Sequence, residues 1–202
     1  MKNSCQVDGY SSPWSRKQAI LIRVWEVVWT LFVRWLPKPF YHWHVMLLKV
    51  FGCKIHGHVY IAPSCRIYAP WLLEMKSRSC LGSRSEVYNL GPVTVGERTT
   101  IAQYAYICNG THDLSNPILP LLVGDIEIGN DVFVGAKAII LPGIKLGDGS
   151  VVGAGAVLTK DTEPFMIYAG NPARKIKERM NVKLLNETTF ALGLWLLVYL
   201  QR

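Results

Sequence analysis

An aliphatic residue stands at every sixth position over residues 128–158: Ile128, Val134, Ile140, Leu146, Val152 and Leu158 follow one another without a slip. Gly129, Gly135, Gly147 and Gly153 come directly after four of them, and Val132, Ala138, Ile144, Ser150 and Ala156 fill the place four residues on. A period of six belongs neither to an amphipathic helix nor to a half-buried strand, so internal repetition decides the fold. A six-residue unit with one buried aliphatic and a small neighbour makes one flat side of a triangular coil. Three units make a turn, and coils stacked by backbone hydrogen bonds enclose a column of aliphatics. The glycines are expected to let the chain bend at the corners.

Earlier runs share the period: Ile55, Ile61, Ile67 and Leu73; Met75, Leu81, Val87 and Val93; Val95, Ile101 and Ile107. The register steps by two between runs, which predicts some coils of about twenty residues rather than eighteen. The repetitive domain is placed at 55–169. Residues 113–125, DLSNPILPLLVGD, carry two prolines and break the period. They are read as an excursion loop, and long insertions in a repetitive scaffold are usually functional.

Before the repeat, residues 1–15 are polar and read as a flexible start. Residues 16–54 read as a helical cap: Ile20, Val24, Val27, Val28, Leu31 and Phe32 recur at helical spacing. Pro37 and Pro39 interrupt it, and a second short helix over 42–51 ends at Gly52. Such a cap would bury the open strand edges of the first coil. A second reading stays open beside it: Lys17, Arg23, Arg34, Lys38 and Lys49 surround apolar, Trp-rich faces, as in a helix lying on a membrane surface. The C-terminal segment 170–202 carries a helical tail whose last part, 188–201, is uncharged and would dock on the protein or on a membrane. Neither apolar stretch reaches the roughly 20 residues of a membrane span.

The formal charge of +8 suits anionic partners. No stacking aromatics interleave with the basic residues, so nucleic acid is not expected. Cys5, Cys53, Cys65, Cys80 and Cys108 are odd in number and form no C-x-x-C pair, which fits a reduced, cytoplasmic chain.

The stretch IGNDVFVGAKAIILPGIKLGDGSVVGAGAVLTKD and the later YAGNPARKIKER resemble the C-terminal half of galactoside, maltose and nodulation acetyltransferases, members of the hexapeptide-repeat acyltransferases. The span 17–180 is similar to the acetyltransferases of colanic acid and other exopolysaccharide biosynthesis: LLKVFG precedes the repeats, IYAPWLL follows, and GTHD stands before the loop. The resemblance implies an all-β-dominated, left-handed parallel β-helix, against the usual right-handed crossover. It also implies a homotrimer with sites between subunits, and acetyl-CoA as donor. The acceptor would be a sugar hydroxyl on a glycan, lipid-linked acceptors included, which the enzyme would meet in the cytoplasm or at the inner face of a membrane.

Acetyl transfer to an alcohol needs a base for the hydroxyl, donors for the oxyanion, and a hold on coenzyme A. His112, in NGTHD beside the loop, is the candidate base: imidazole accepts protons near neutral pH, and His112 matches the family's catalytic histidine. Asp113 would orient it or merely begin the loop, and a backbone carbonyl would orient the ring equally well. Backbone N–H groups at Gly135 and Ala136 are the candidate oxyanion donors. Gly153, Ala154, Thr159 and Lys160 would line the pantetheine arm, and Lys160, Arg174 and Lys177 would meet phosphates. Tyr88, Asn89, Asn109 and Phe133 are candidate acceptor contacts, with corner asparagine as the structural alternative for the two amides. His56 and His58, two apart on a strand, would share a metal only with a third histidine at matching spacing, and none follows, so no metal is expected. Transfer to the nitrogen of an amino-sugar nucleotide, and a metal-dependent protein of the γ-carbonic-anhydrase type, are the competing functions.

Overall fold

The computed structural model describes residues 14–33 and 41–179. The polar start through Pro13, the stretch holding Arg34, Pro37, Lys38 and Pro39, and the apolar tail lie outside them. Three parallel sheets form the faces of a triangular prism. The first face stacks Lys54–Ile55, Leu73–Met75, Val93–Val95, Ile126–Ile128 and Lys145–Leu146. The second stacks Tyr60–Ile61, Cys80–Leu81, Thr100–Ile101, Phe133–Val134, Val151–Val152 and Met166–Ala169. The third stacks Arg66–Ile67, Glu86–Tyr88, Tyr106–Cys108, Ile139–Ile140 and Val157–Leu158. The hexapeptide aliphatics form the internal column: Ile128, Val134, Ile140, Leu146, Val152 and Leu158 are all buried, and so are Met75, Leu81, Val87, Val95, Ile101 and Ile107. Ile55 pairs with Met75 and Met75 with Val95, whereas Ile128 pairs with Leu146. The early coils therefore hold twenty residues and the late ones eighteen, as the register step requires.

The corner glycines work differently from the expectation. Gly135 lies outside the left-handed region, and that conformation falls two residues later, on Lys137 (φ 59°) and, one coil on, Gly155 (φ 68°). Gly135 is needed for closeness: a Cβ there would stand 2.5 Å from the backbone nitrogen of Ala154 on the next coil. The left-handed corner position is filled by arginine at Arg78, Arg84 and Arg98. Each bears a strain of about 1–2 kcal/mol for its Cβ. At Arg98 a bidentate pair to Asp131, 2.7 Å on both arms, ties one coil to the next.

In the ladder N–H groups of the first coil donate to carbonyls of the second, as Arg66 does to Ser85 and Tyr68 to Val87, while the carbonyls of Cys65 and Ile67 take no bond from it. The first coil is left with carbonyls facing outward. Helix α1 (Arg16–Phe32), started by a capping box between Ser15 and Gln18, covers that edge. Its Trp25 and Trp29 indoles donate to the carbonyls of Ile67 (2.7 Å) and Cys65 (2.9 Å). Helix α2 (Tyr41–Val50) buries His44 and Leu48 beside it and stops before Gly52 (φ 86°). The buried side of α1 is Ile22, Trp25, Trp29 and Val33, whereas the stripe read from the sequence, Ile20, Val24, Val27, Leu31 and Phe32, points outward. Tryptophan takes the inner side because it brings both apolar area and the N–H that the edge carbonyls require. At the other end the C-terminal segment opens with a strand, Arg174–Glu178, laid antiparallel on Met166–Ala169.

Candidate active site

The insertion between the third and fourth coils leaves from the corner joining the third face to the first. It is a hairpin, Gly110–His112 antiparallel to Leu121–Val123, with a turn closed by Asp113 N–H to the Pro120 carbonyl. Gly110 allows the hairpin to sit against the coil below, where a Cβ would stand 2.5 Å from Leu90 Cδ1. The last residue of the outgoing strand is His112, half-buried. Its Nδ1 lies 2.7 Å from the carbonyl oxygen of Leu119. A carbonyl only accepts, so this bond places the proton on Nδ1 and leaves Nε2 as the accepting nitrogen of the neutral ring.

Asp113 does not turn to the imidazole. Its carboxylate accepts from the Ser115 N–H (2.9 Å) and hydroxyl (2.6 Å), and these bonds hold its pKa below the ordinary value. It shapes the hairpin turn. Leu119 is the partner that the sequence reading did not name: its contribution is a backbone carbonyl, which no side-chain pattern encodes, from a residue at a φ of 47°.

Asn89 and Asn109, expected as acceptor contacts or as corner amides, stand in corners with their amides on backbone. Both are fully buried. Asn89 accepts from the Ala69 N–H (2.9 Å) and donates to the Ala69 carbonyl (2.7 Å). Asn109 accepts from the Leu90 (2.7 Å) and Gly91 (3.2 Å) N–H groups and donates to the Pro92 carbonyl (3.3 Å). The two amides staple the corner below His112 and are spent on backbone. Tyr88 remains at the surface of that edge, its ring 5.0 Å from Tyr68, and Tyr68 in turn faces Trp14 at 5.9 Å. Phe133 is exposed on the second face, opposite the corner that carries His112, so one chain does not bring the two together.

The residues expected at the donor divide between two edges of the prism. Gly135 and Ala136 lie directly below Gly153 and Ala154 on the edge between the second and third faces, and Ala169 and Arg174 continue it upward. Thr159 and Lys160 follow the third-face strand Val157–Leu158, on the same edge as the His112 hairpin. Both are exposed, as are Arg174 and Lys177. The N–H of Gly135 donates to the Val152 carbonyl (2.7 Å) and that of Gly153 to the Tyr168 carbonyl (2.7 Å). The hydrogen of Gly135, expected as an oxyanion donor, is engaged in the ladder. His56 bonds Glu74 (3.1 Å), and the described residues contain no group of three or more metal-ligating side chains.

Stacked hexapeptide coils with a histidine-bearing hairpin between them are the architecture of a β-helix acyltransferase. The family described as hexapeptide repeat of succinyl-transferase matches residues 125–160. An Escherichia coli (strain K12) protein assigned as a colanic acid biosynthesis acetyltransferase is 32% identical over 179 residues, which cover 88% of this chain and 98% of that one. The chain belongs to the hexapeptide-repeat acetyltransferase family. Solved structures share the fold. A maltose O-acetyltransferase from Clostridium difficile 630 superposes with a TM-score of 0.74 at 21% identity, covering 83% of this chain and 90% of its own. A hexapeptide-repeat acetyltransferase from Vibrio cholerae O1 biovar eltor, complexed with acetyl coenzyme A, gives 0.74 at 19%, covering 85% and 94%.

Proposed function

We propose that this protein transfers an acetyl group from acetyl-CoA to a sugar hydroxyl in surface polysaccharide biosynthesis, with His112 as general base. The observation that carries the proposal is the His112–Leu119 bond, which holds the imidazole with Nε2 able to accept. Nε2 takes the hydroxyl proton as the sugar oxygen attacks the thioester carbon, and returns it to the sulfur as the carbon–sulfur bond breaks. The relative assigned to colanic acid synthesis supports a glycan acceptor, and the neighbour holding acetyl coenzyme A supports the donor. Tyr88 with Tyr68 supplies an aromatic surface on the third face, the face that leads into the His112 hairpin, for the sugar to rest on.

The edge formed by Ala136, Gly153 and Ala154 fits an extended pantetheine arm. Residues with little or no side chain recur there on successive coils, and Ala154 and Gly155 are exposed. Arg174 and Lys160 supply charge for phosphates. The two edges bound the third face and stand one prism side apart, on the order of 15–20 Å for six residues at about 3.3 Å each with their corner, so one thioester carbon does not touch both edges of the same chain. A trimer that sets one copy's small-residue edge against the next copy's His112 edge would unite them, which supports a site shared between subunits. The four described cysteines are free thiols, in keeping with work in the reducing cytoplasm.

The test is thiol release from acetyl-CoA against sugars, nucleotide sugars and lipid-linked oligosaccharides, with amino sugars included to separate nitrogen from oxygen transfer. His112→Ala is expected to lower turnover by at least about a hundredfold while the protein stays folded. Near-normal turnover would remove His112 as the base, and a monomer in light scattering would remove the shared site.

A further inference from the structure

Helix α1 is apolar on two opposite sides. Ile22, Trp25, Trp29 and Val33 face the first coil. Ile20, Val24, Val27 and Leu31, spaced i, i+4, i+7 and i+11, point the other way and are 65%, 47%, 56% and 62% exposed. Leu21 and Phe32 of the same helix are exposed too, as are Trp43, Met46 and Val50 on α2. Single exposed apolar residues need no explanation, but a continuous patch of large ones marks an interaction surface. The inner side of α1 is already packed on the first coil, so the outer stripe is a second apolar surface for which this chain shows no cover among the described residues.

The charges say which. Arg16, Lys17 and Arg23 on α1 and Lys49 on α2 are exposed around the stripe. The only acid in the two helices, Glu26, is engaged by Arg23 (3.0 Å) and by Arg66 of the first coil (3.4 Å). An apolar stripe framed by cations complements anionic headgroups over acyl chains. Two copies of this surface would instead meet with like charges opposed. We propose that this end of the molecule docks on an anionic lipid bilayer, with α1 lying in the interface plane and Ile20, Val24, Val27 and Leu31 inserted. The helix rests on the membrane and does not cross it: no described helix is long and apolar enough to span. The inference does not depend on which group the enzyme acetylates.

The test is sedimentation of the full chain with phosphatidylcholine vesicles, with and without about 30% phosphatidylserine. Binding to the anionic vesicles is expected to exceed binding to the neutral ones by at least about tenfold, and to fall as salt shortens the Debye length. The double variant Val24→Asp/Leu31→Asp changes only outward side chains, so its circular dichroism should match wild type while vesicle binding drops at least about tenfold. Wild type staying in the supernatant overturns the proposal. So does a double variant that sediments like wild type, which would move binding to another part of the chain. A third overturning result is a wild-type assembly larger than the variant's in light scattering without vesicle binding, which would show that a second copy covers the stripe.

Discussion

The Nδ1 of His112 and the carbonyl oxygen of Leu119 meet at 2.7 Å across the hairpin turn. Leu119 stands at a φ of 47°, a conformation that proline excludes and glycine adopts freely. Leu119→Pro is therefore expected to misaim the carbonyl and lower kcat by about tenfold or more, with the KM for acetyl-CoA little changed. Leu119→Gly should keep most of the activity. Equal losses in both variants would mean that the leucine side chain, and not the carbonyl, is what matters.

Asp113 offers a contrast one residue away. Hydrogen bonds from Ser115 hold its carboxyl below the ordinary range. The sign follows: a depressed folded-state pKa contributes order that is complete above the unfolded value and is lost as pH falls through the folded one. At neutral pH the turn is fully bonded. Asp113→Asn keeps an accepting oxygen, and turnover at neutral pH is expected within about threefold of wild type. A hundredfold loss would make Asp113 a partner of the imidazole after all.

Asn89 is expected to matter for folding rather than for substrate. Asn89→Ala leaves the N–H of Ala69 without its partner in a buried corner, while the Ala69 carbonyl keeps the Leu72 N–H (3.0 Å). With one buried group stranded, the loss should be about 1–3 kcal/mol in urea unfolding. Acceptor KM measured on the remaining folded protein should not move. A raised KM at unchanged stability would return Asn89 to the acceptor site.

The sequence exposed the parts of this molecule that side chains repeat and hid the parts that backbone supplies. Ile128 through Leu158 announce a buried column because every coil needs the same aliphatic at the same place, and the two-residue register step at Met75 survives as a real twenty-residue coil. His112 was legible because imidazole is a distinctive group at a break in the period. Its partner was not, since any residue at 119 carries a carbonyl. Asn89 and Asn109 look alike in sequence whether their amides face a sugar or a neighbouring coil. On α1 the helical period found a genuine apolar stripe, but a period fixes which residues share a side and not what covers that side.

The indole bonds of α1 make a separate stability test. Trp25→Phe retains most of the apolar bulk but leaves the Ile67 carbonyl buried and unpaired, so a loss of about 1–3 kcal/mol is expected. Trp43→Phe, on the exposed side of α2, should stay within about 0.5 kcal/mol. Equal unfolding midpoints for the two variants would show that α1 holds the coil edge by apolar contact alone.

Cys53 and Cys65 tie the stability of the first coils to alkaline pH. Burial is the main cause that pushes both thiols up to about 12, with Glu74 adding to the rise at Cys53 and the Ser85 hydroxyl partly offsetting it at Cys65. A folded pKa above the unfolded one means that the protonated thiol stabilises the fold. That contribution is complete below the unfolded value of 9.0 and is lost as pH climbs toward about 12. The unfolding free energy should therefore fall with pH across that window. Cys65→Ala should flatten the slope even though it lowers absolute stability by opening a small cavity. The slope, followed by urea denaturation at a series of alkaline pH values, is the quantity to compare. An unchanged slope in the variant would place the alkaline sensitivity in some other group.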